Sequence, residues 1–216
     1  MDPYNFLVTV LVYAIPVIFA ITLHEAAHGY VARHFGDTTA YMLGRVSLNP
    51  MKHIDPLGTV LLPLVTLLLS GFMFGWAKPV PVNFNNLRDP KRDMLWVAAA
   101  GPGSNVAQMI VWAVVARVLT TLPASQVGAF WMAVAEAGIT VNVAFAILNL
   151  FPLLPLDGGR IVMSLLPNKL SYEYSRLEPY GMVILIVLIL TGALGYLLTP
   201  LMSVTLTRIY ALAGLG

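Results

Sequence analysis

The chain has 216 residues, of which 58% are apolar and 10% charged, with a formal net charge of +2 and a mean hydropathy of +0.81. Soluble domains average about 45–50% apolar and about 25% charged residues, so a water-facing surface cannot be built from this composition and the chain reads as an integral membrane protein. Disorder is excluded by the apolar content, a nucleic-acid binder by the balance of 12 Lys+Arg against 10 Asp+Glu, and disulfides, thiolate metal sites and thiol catalysis by the absence of cysteine.

A spanning helix needs about 20 mostly apolar residues, and the chain offers five to six such segments. Tyr4 to Arg33 is the first; no small-residue cleavage site follows a short apolar core, so it does not read as a removable signal peptide. Leu57 to Phe74 is shorter and carries Pro63 and Gly71. Met94 to Leu119, Phe130 to Leu150 and Met182 to Leu198 follow, then a C-terminal segment from Leu201 to Leu215 containing Arg208. Polar, Pro-rich connections occupy 35–56, 75–93 and 151–178. The expected fold is an all-α, multi-pass membrane domain over 1–216, with C-terminal helices over 178–215.

Charge placement orients it, because cytoplasmic loops carry the Lys/Arg excess. If residues 57–74 dip into the membrane and return, then Arg33, Arg45, Lys52, Lys78, Arg88, Lys91, Arg92, Arg160, Lys169 and Arg176 share one face, and Arg117 falls opposite. If the segment spans fully, Arg33, Arg45 and Lys52 join Arg117. The re-entrant reading obeys the rule better and leads.

His24-Glu25-Ala26-Ala27-His28 fits H-E-x-x-H. On a helix, positions i and i+4 share a face, so both imidazoles can reach one ion. The Glu beside the first His can then act as general base on a metal-bound water. Counting back from Arg33 as the interface, His24 lies roughly 13 Å deep at about 1.5 Å per residue. Ionisable groups at such depth cost at least about 2.5–3.5 kcal/mol on insertion scales, so three within five residues demand a purpose. A polar helix face satisfied across a bundle, and a proton or metal relay in a transporter, are the other uses open to this cluster.

A catalytic zinc takes three protein ligands and keeps a fourth position for water. Without cysteine the third is His, Asp or Glu. His34, six residues beyond His28, faces elsewhere on the helix. His53, in the polar loop from Asn49 to Pro56, could swing in. Asp157 is the better candidate: Pro152 and Pro155 end the fourth segment with backbone donors missing, and Gly158-Gly159 permits a tight path that exposes a carboxylate in apolar surroundings. Read alone, Asp157-Gly158 is a turn capping the next helix. Glu136, isolated in the fourth segment, either pairs with another helix or lines a water path.

H-E-x-x-H in an early segment, followed by Asn149-x-x-Pro152-x-x-Pro155-x-Asp157-Gly158, resembles the site-2 protease family of intramembrane zinc metalloproteases. Gly101-Pro102-Gly103-Ser104-Asn105 is similar to the G-P-x-x-N that opens a core helix in that family. Gly44-Arg45 through Gly58, and Gly75 to Asn83, look like its compact prokaryotic branch without appended domains. The likeness covers most of residues 20–165.

The resemblance implies one zinc per chain bound by His24, His28 and Asp157, with Glu25 as general base and proton donor. Asn149 would help hold the substrate backbone, against the alternative of a helix-terminal hydrogen bond. Asn105 is a further candidate for substrate contact, although Gly-Pro-Gly beside it suits close helix packing, and His53 is a candidate for substrate contact or oxyanion stabilisation. Pro79-Val80-Pro81-Val82 cannot be helical. It would either lend an edge to an unwound substrate strand or serve as an interfacial connector with Trp76 at headgroup level.

The expected activity is hydrolysis of peptide bonds in or near the transmembrane segments of membrane-protein substrates, in the bilayer of a prokaryotic cell (inner) membrane, with the metal toward the cytoplasmic side. The alternative is a metal-ion or proton-coupled transporter using the same cluster. No nucleic-acid partner is expected, and oligomeric state is not encoded legibly.

Overall fold

The computed structural model describes residues 3–61, 64–65, 78–123 and 125–215. Among these the chain is helical, without a β-strand. Helix α1 (Pro3–His34) is followed by the short α2 (Thr39–Met42), a non-helical stretch over 78–83, and the long α3 (Pro90–Leu119) and α4 (Gln126–Asn149). Four helices close the chain: α5 (Asp157–Leu165), α6 (Asn168–Ser175), α7 (Glu178–Leu190) and α8 (Ala193–Ala213).

Local chemistry fixes the helix starts. Asp89 caps α3 by accepting the Arg92 N–H at 3.3 Å, with Pro90 in the first turn, where its missing donor costs nothing. Ser125 caps α4 through the Gly128 N–H at 3.0 Å.

Helices α1, α3 and α4 pack on one another as the central bundle. Small side chains allow it: Ala113 and Ala116 of α3 and Ala135 of α4 are buried with Ile139 and Val143, and α8 lays Met202, Leu206 and Ile209 against them. Close approach through small residues is what holds helices together when lipid competes for every apolar contact.

Among the described residues three helices, α1, α4 and α8, are long and apolar enough to cross a membrane; α7, 13 residues long, is a shorter apolar helix. The all-helical membrane class expected from sequence therefore holds, while of the expected five to six segments three qualify among the described residues. Helix α3 has the length, 30 residues, but Lys91, Arg92 and Asp93 open it and Ser104, Asn105 and Gln108 interrupt its middle. The two C-terminal segments are also redrawn. The break expected near Pro200 falls at Gly192, whose φ of +74° lies in the left-handed region that favours glycine, and Pro200 sits inside α8. Gly101 to Asn105, expected to open a helix, lies well inside α3.

The re-entrant segment expected over 57–74 and the anchoring role of Trp76 fall largely outside the described residues. Their flanks are informative nonetheless. Arg88 donates its backbone N–H to the Phe35 carbonyl at 3.0 Å and its guanidinium to the His34 carbonyl at 3.1 Å, so the entry to α3 is stapled to the end of α1. Asp37 is the centre of that staple. Buried to 1% exposure, it accepts the Asn83 N–H at 2.7 Å, the Thr39 N–H at 2.9 Å, the Thr39 hydroxyl and the Asn86 amide. Chain that leaves the end of α1 thus returns to the same end.

Burial alone would raise the Asp37 carboxyl, but the donors from Thr39, Asn83 and Asn86 outweigh it and hold the group below its ordinary value of 3.8. A depressed folded value stabilises the protein above pH 3.8 and loses that contribution as pH falls through the lower folded value. Chemical denaturation of wild type and Asp37→Asn in detergent should therefore show a stability gap that is constant near neutrality and narrows below pH 3.8. A gap unchanged into strong acid would remove the carboxylate as the source.

Candidate metal centre

Helix α1 sets His24 and His28 one turn apart on one face, and both are buried, at 7% and 9% exposure. Their outward nitrogens are spoken for. His24 Nδ1 meets Asn105 Oδ1 at 2.7 Å, and His28 Nδ1 meets the Val97 carbonyl at 2.7 Å. Since each partner is an acceptor, each Nδ1 carries the proton and each Nε2 presents a lone pair inward. Asn105 is itself oriented: its Nδ2 donates to Asn142 Oδ1 at 3.0 Å and to the Ala20 carbonyl at 3.4 Å, while Asn142 donates to the Gly138 carbonyl at 2.9 Å. A relay of amides across three helices therefore decides which way one imidazole points.

Asp157 arrives from the opposite direction. Helix α4 ends at Asn149, the Leu154–Pro155 peptide is cis, and α5 begins at Asp157. Gly158 and Gly159 lie directly on the backbone of Leu150, Phe151, Leu153 and Leu154, where a Cβ would collide with main-chain atoms. That close approach seats the carboxylate. Asp157 Oδ2 stands 3.2 Å from His24 Nε2 and 3.3 Å from His28 Nε2, and the two Nε2 atoms are 3.1 Å apart.

When both Nε2 atoms and the Asp157 carboxylate are deprotonated, as metal ligands are, these three atoms converge as lone pairs that repel one another unless a cation sits among them, and the buried Asp157 Oδ2 has no hydrogen-bond partner. The separations also suit one: a tetrahedral ion with ligands at about 2.0–2.1 Å has donor atoms about 3.3 Å apart. Among the described residues this is the group of His and carboxylate side chains able to hold a metal ion.

Gly101 explains how α3 comes so close. A Cβ there would strike His28 Nε2 and the His24 ring, whereas one at Gly103 meets nothing within 4 Å.

The centre opens into a cavity of about 450 Å³ lined by both histidines, Glu25, Asp157, Asn149 and Arg160. Glu25 Oε2 accepts the Val80 backbone N–H at 2.6 Å, which fixes the carboxylate against the 78–83 stretch. That stretch is braced from behind by Arg45, which donates to the Lys78 and Pro79 carbonyls at 3.0 and 3.2 Å. Arg160 reaches Glu178 at 2.9 Å and lies over the Phe84 ring.

Asn149 lines the cavity and donates to the Phe145 carbonyl at 3.0 Å, the helix-terminal hydrogen bond that was the alternative reading of it. Two other candidates for substrate contact are corrected. Asn105 is fully buried, does not line the cavity and spends its amide orienting His24. His53 is likewise fully buried; its Nε2 bonds the Ser47 carbonyl at 2.7 Å and its own carbonyl receives the Lys78 N–H at 3.0 Å, making it a brace of the loop behind the cavity. Glu136 is exposed on α4 and stands apart from the cavity lining.

Sequence reasoning did not single out Gly101, Asn142 or Arg160 as parts of the centre, nor the Val97 carbonyl. Arg160 was within reach of it, three residues beyond Asp157 on one helix face, and Asn142 stood out as a polar residue in an apolar run. A backbone carbonyl leaves no mark in sequence.

Several known proteins are similar to this chain. A Bacillus subtilis protein named "Putative zinc metalloprotease YwhC" is 36% identical over 192 residues, which cover 88% of this chain and 84% of that protein. Two mycobacterial proteins bear the name "Putative zinc metalloprotease Rip2". The one from Mycolicibacterium smegmatis is 28% identical over 179 residues and the one from Mycobacterium tuberculosis H37Rv 27% over 178; each alignment covers 82% of this chain and 66% of the relative. No family model and no solved structure matches.

If Gly101 exists to let α3 touch the histidines, Gly101→Ala should lower bound metal per chain at least tenfold in purified protein while Gly103→Ala leaves it unchanged, read by elemental analysis with helical content as the control. Equal metal content in the two variants would separate Gly101 from the centre.

Proposed function

This chain belongs to the site-2 protease family of zinc metalloproteases, and we propose that it hydrolyses peptide bonds in or near the transmembrane segments of membrane-protein substrates. The observation that carries this reading is the convergence of His24, His28 and Asp157 in a cavity that also presents Glu25. The relatives' names do not favour the transporter alternative.

In this reading His24, His28 and Asp157 hold one zinc ion. Zinc so bound lowers the pKa of water toward about 7 and polarises a scissile carbonyl. Glu25 takes the proton from the attacking water and returns it to the leaving amine. The Val80 N–H keeps the Glu25 carboxylate at the cavity wall, and the amide relay keeps the His24 lone pair aimed inward throughout.

A transmembrane helix hides its peptide bonds in internal hydrogen bonds and must unwind before a carbonyl can reach the centre. In this reading Asn149 and the extended stretch at Val80 and Val82 receive the unwound strand, a role supported by their shared place in the cavity lining. The reading sets the metal toward the cytoplasmic side of a prokaryotic cell membrane, which the loop cations favour if residues 57–74 re-enter, and calls for a polar path that brings water to it from that side.

The test is a set of variants assayed for zinc content and for cleavage of single-span membrane peptides in the same vesicles. Glu25→Gln should retain zinc and lose at least about 100-fold in cleavage rate, while Asp157→Ala loses both. Cleavage at the wild-type rate by Glu25→Gln would remove Glu25 as the base.

A further inference from the structure

One charged side chain of the cavity has no part in holding the metal or moving a proton. Arg160 lines the same space as both histidines and Asp157, and among the described lining residues it is the one Lys or Arg. Helix α5 puts it there. Three residues beyond Asp157, it shares that residue's helix face about 4.5 Å further along the axis, at about 1.5 Å per residue. Two contacts fix the guanidinium: Nη2 donates to Glu178 Oε1 at 2.9 Å, and Cζ lies 4.9 Å from the centre of the Phe84 ring.

Those contacts use one of the three guanidinium nitrogens. Among the described residues Nε and Nη1 have no acceptor, yet neither is enclosed, so both are open to an incoming group. Glu178 answers the charge only in part. Its side chain is 41% exposed, against 24% for Arg160, and an ion pair with one partner in water is weak. The cavity walls are otherwise largely apolar, with Val82, Phe84, Met182 and Leu185 among them. When a polypeptide fills this space and displaces its water, the free N–H groups lose their hydration and require an acceptor.

Given that a substrate strand occupies this cavity, as the proposed function requires, we propose that Arg160 is a specificity-determining residue that selects substrates carrying an acidic side chain, Asp or Glu, close to the scissile bond. A backbone carbonyl or an amide can accept from a free N–H, but a carboxylate also meets the positive charge, and that attraction strengthens once water is excluded. Reach limits where the acid can stand. A strand advances about 3.3 Å per residue, so a guanidinium rooted one helical turn from a metal ligand meets side chains only a few residues from the bond. A basic side chain at the same place is repelled, which rejects as well as selects.

The probe is a set of single-span peptides of about 20 residues, with one Glu stepped from the centre of the span past its end and a Gln twin for each. They are titrated by energy transfer against the labelled, zinc-loaded full chain in phosphatidylcholine vesicles, under mildly alkaline conditions that keep the carboxyl ionised. The Glu25→Gln protein is used, so that bound peptide is not cut. At one or two neighbouring positions the Glu peptide should bind at least about fivefold more tightly than its Gln twin, and Arg160→Gln should abolish the difference. Glu178→Gln breaks the same ion pair but leaves the guanidinium, so there the preference should persist or grow; an Arg160 that only ties α5 to α7 would behave alike in both variants. Zinc content and helicity of each variant are the folding control. Because binding is read, a wild-type chain that fails to cleave would sink the proposed function and leave this preference still measurable. Equal affinity within every Glu and Gln pair, a preference that survives Arg160→Gln and so belongs to the metal, or its loss in Glu178→Gln would each overturn the proposal.

Discussion

Three lone pairs aimed at one point inside an apolar bundle are the constraint around which the molecule is arranged. Two imidazole Nε2 atoms and a carboxylate oxygen lie 3.1–3.3 Å apart, and nothing in their own chemistry would hold them there. The bundle supplies the holding force through the far side of each ring. Val97 offers a carbonyl and Asn105 an amide oxygen, and because both are acceptors they decide the tautomer as well as the angle. The hydrogen bonds from Asn105 to Asn142 and Ala20 then spread the requirement over α1, α3 and α4. A shift of any one of these helices turns the ring. The same helices share the core of small residues, so packing and chemistry impose a single geometry.

Two loops complete the site, and they are fixed by different means. The loop carrying Asp157 is held by contact: Gly158 and Gly159 let α5 settle onto the backbone that ends α4, and a side chain at either position would push the carboxylate away from the histidines. The 78–83 stretch is held by hydrogen bonds at its ends and middle, from the Asn83 N–H to Asp37, from Arg45 to the Lys78 and Pro79 carbonyls, and from the Val80 N–H to Glu25. Pro79 and Pro81 have no N–H, and the Lys78 and Asn83 N–H groups are spent on the His53 carbonyl and Asp37, which leaves the donors of Val80 and Val82 in between. One of the two is already spent on Glu25. That makes the catalytic candidate and the segment beside it a single unit, positioned from the end of α1.

The chemistry was more legible in the sequence than the architecture. H-E-x-x-H declares a shared helix face, and Pro-x-x-Pro-x-Asp-Gly declares a carboxylate on a tight path; both follow from local backbone rules that survive any tertiary context. The paths of Asn105 and His53 were not legible, because a polar residue in an apolar chain is marked as purposeful without its partner being marked. Asn105 faces a histidine, not a substrate, and His53 faces a carbonyl of its own loop. The C-terminal break was misplaced for a related reason. Proline reads as the stronger signal, yet Pro200 lies within α8 and the chain turns at Gly192, where the left-handed backbone conformation ends one helix and starts the next.

Helix α3 ties these threads together. By hydropathy it does not count with α1, α4 and α8 as long and apolar enough to cross a membrane, yet it supplies Val97, Gly101 and Asn105 to the metal centre. These facts have one cause. A helix that carries acceptors for two histidines cannot also be uniformly apolar, and it is stable in a bilayer only where neighbours cover its polar face. Helices α1 and α4 do so, since both pack along it, and the Asn105–Asn142 bond shows the polar groups being satisfied helix to helix. Gln108 meets the same constraint by enclosure: among the described residues its amide has no hydrogen-bond partner, yet both of its polar atoms are shut away from the surface, so the face that α3 turns outward stays apolar.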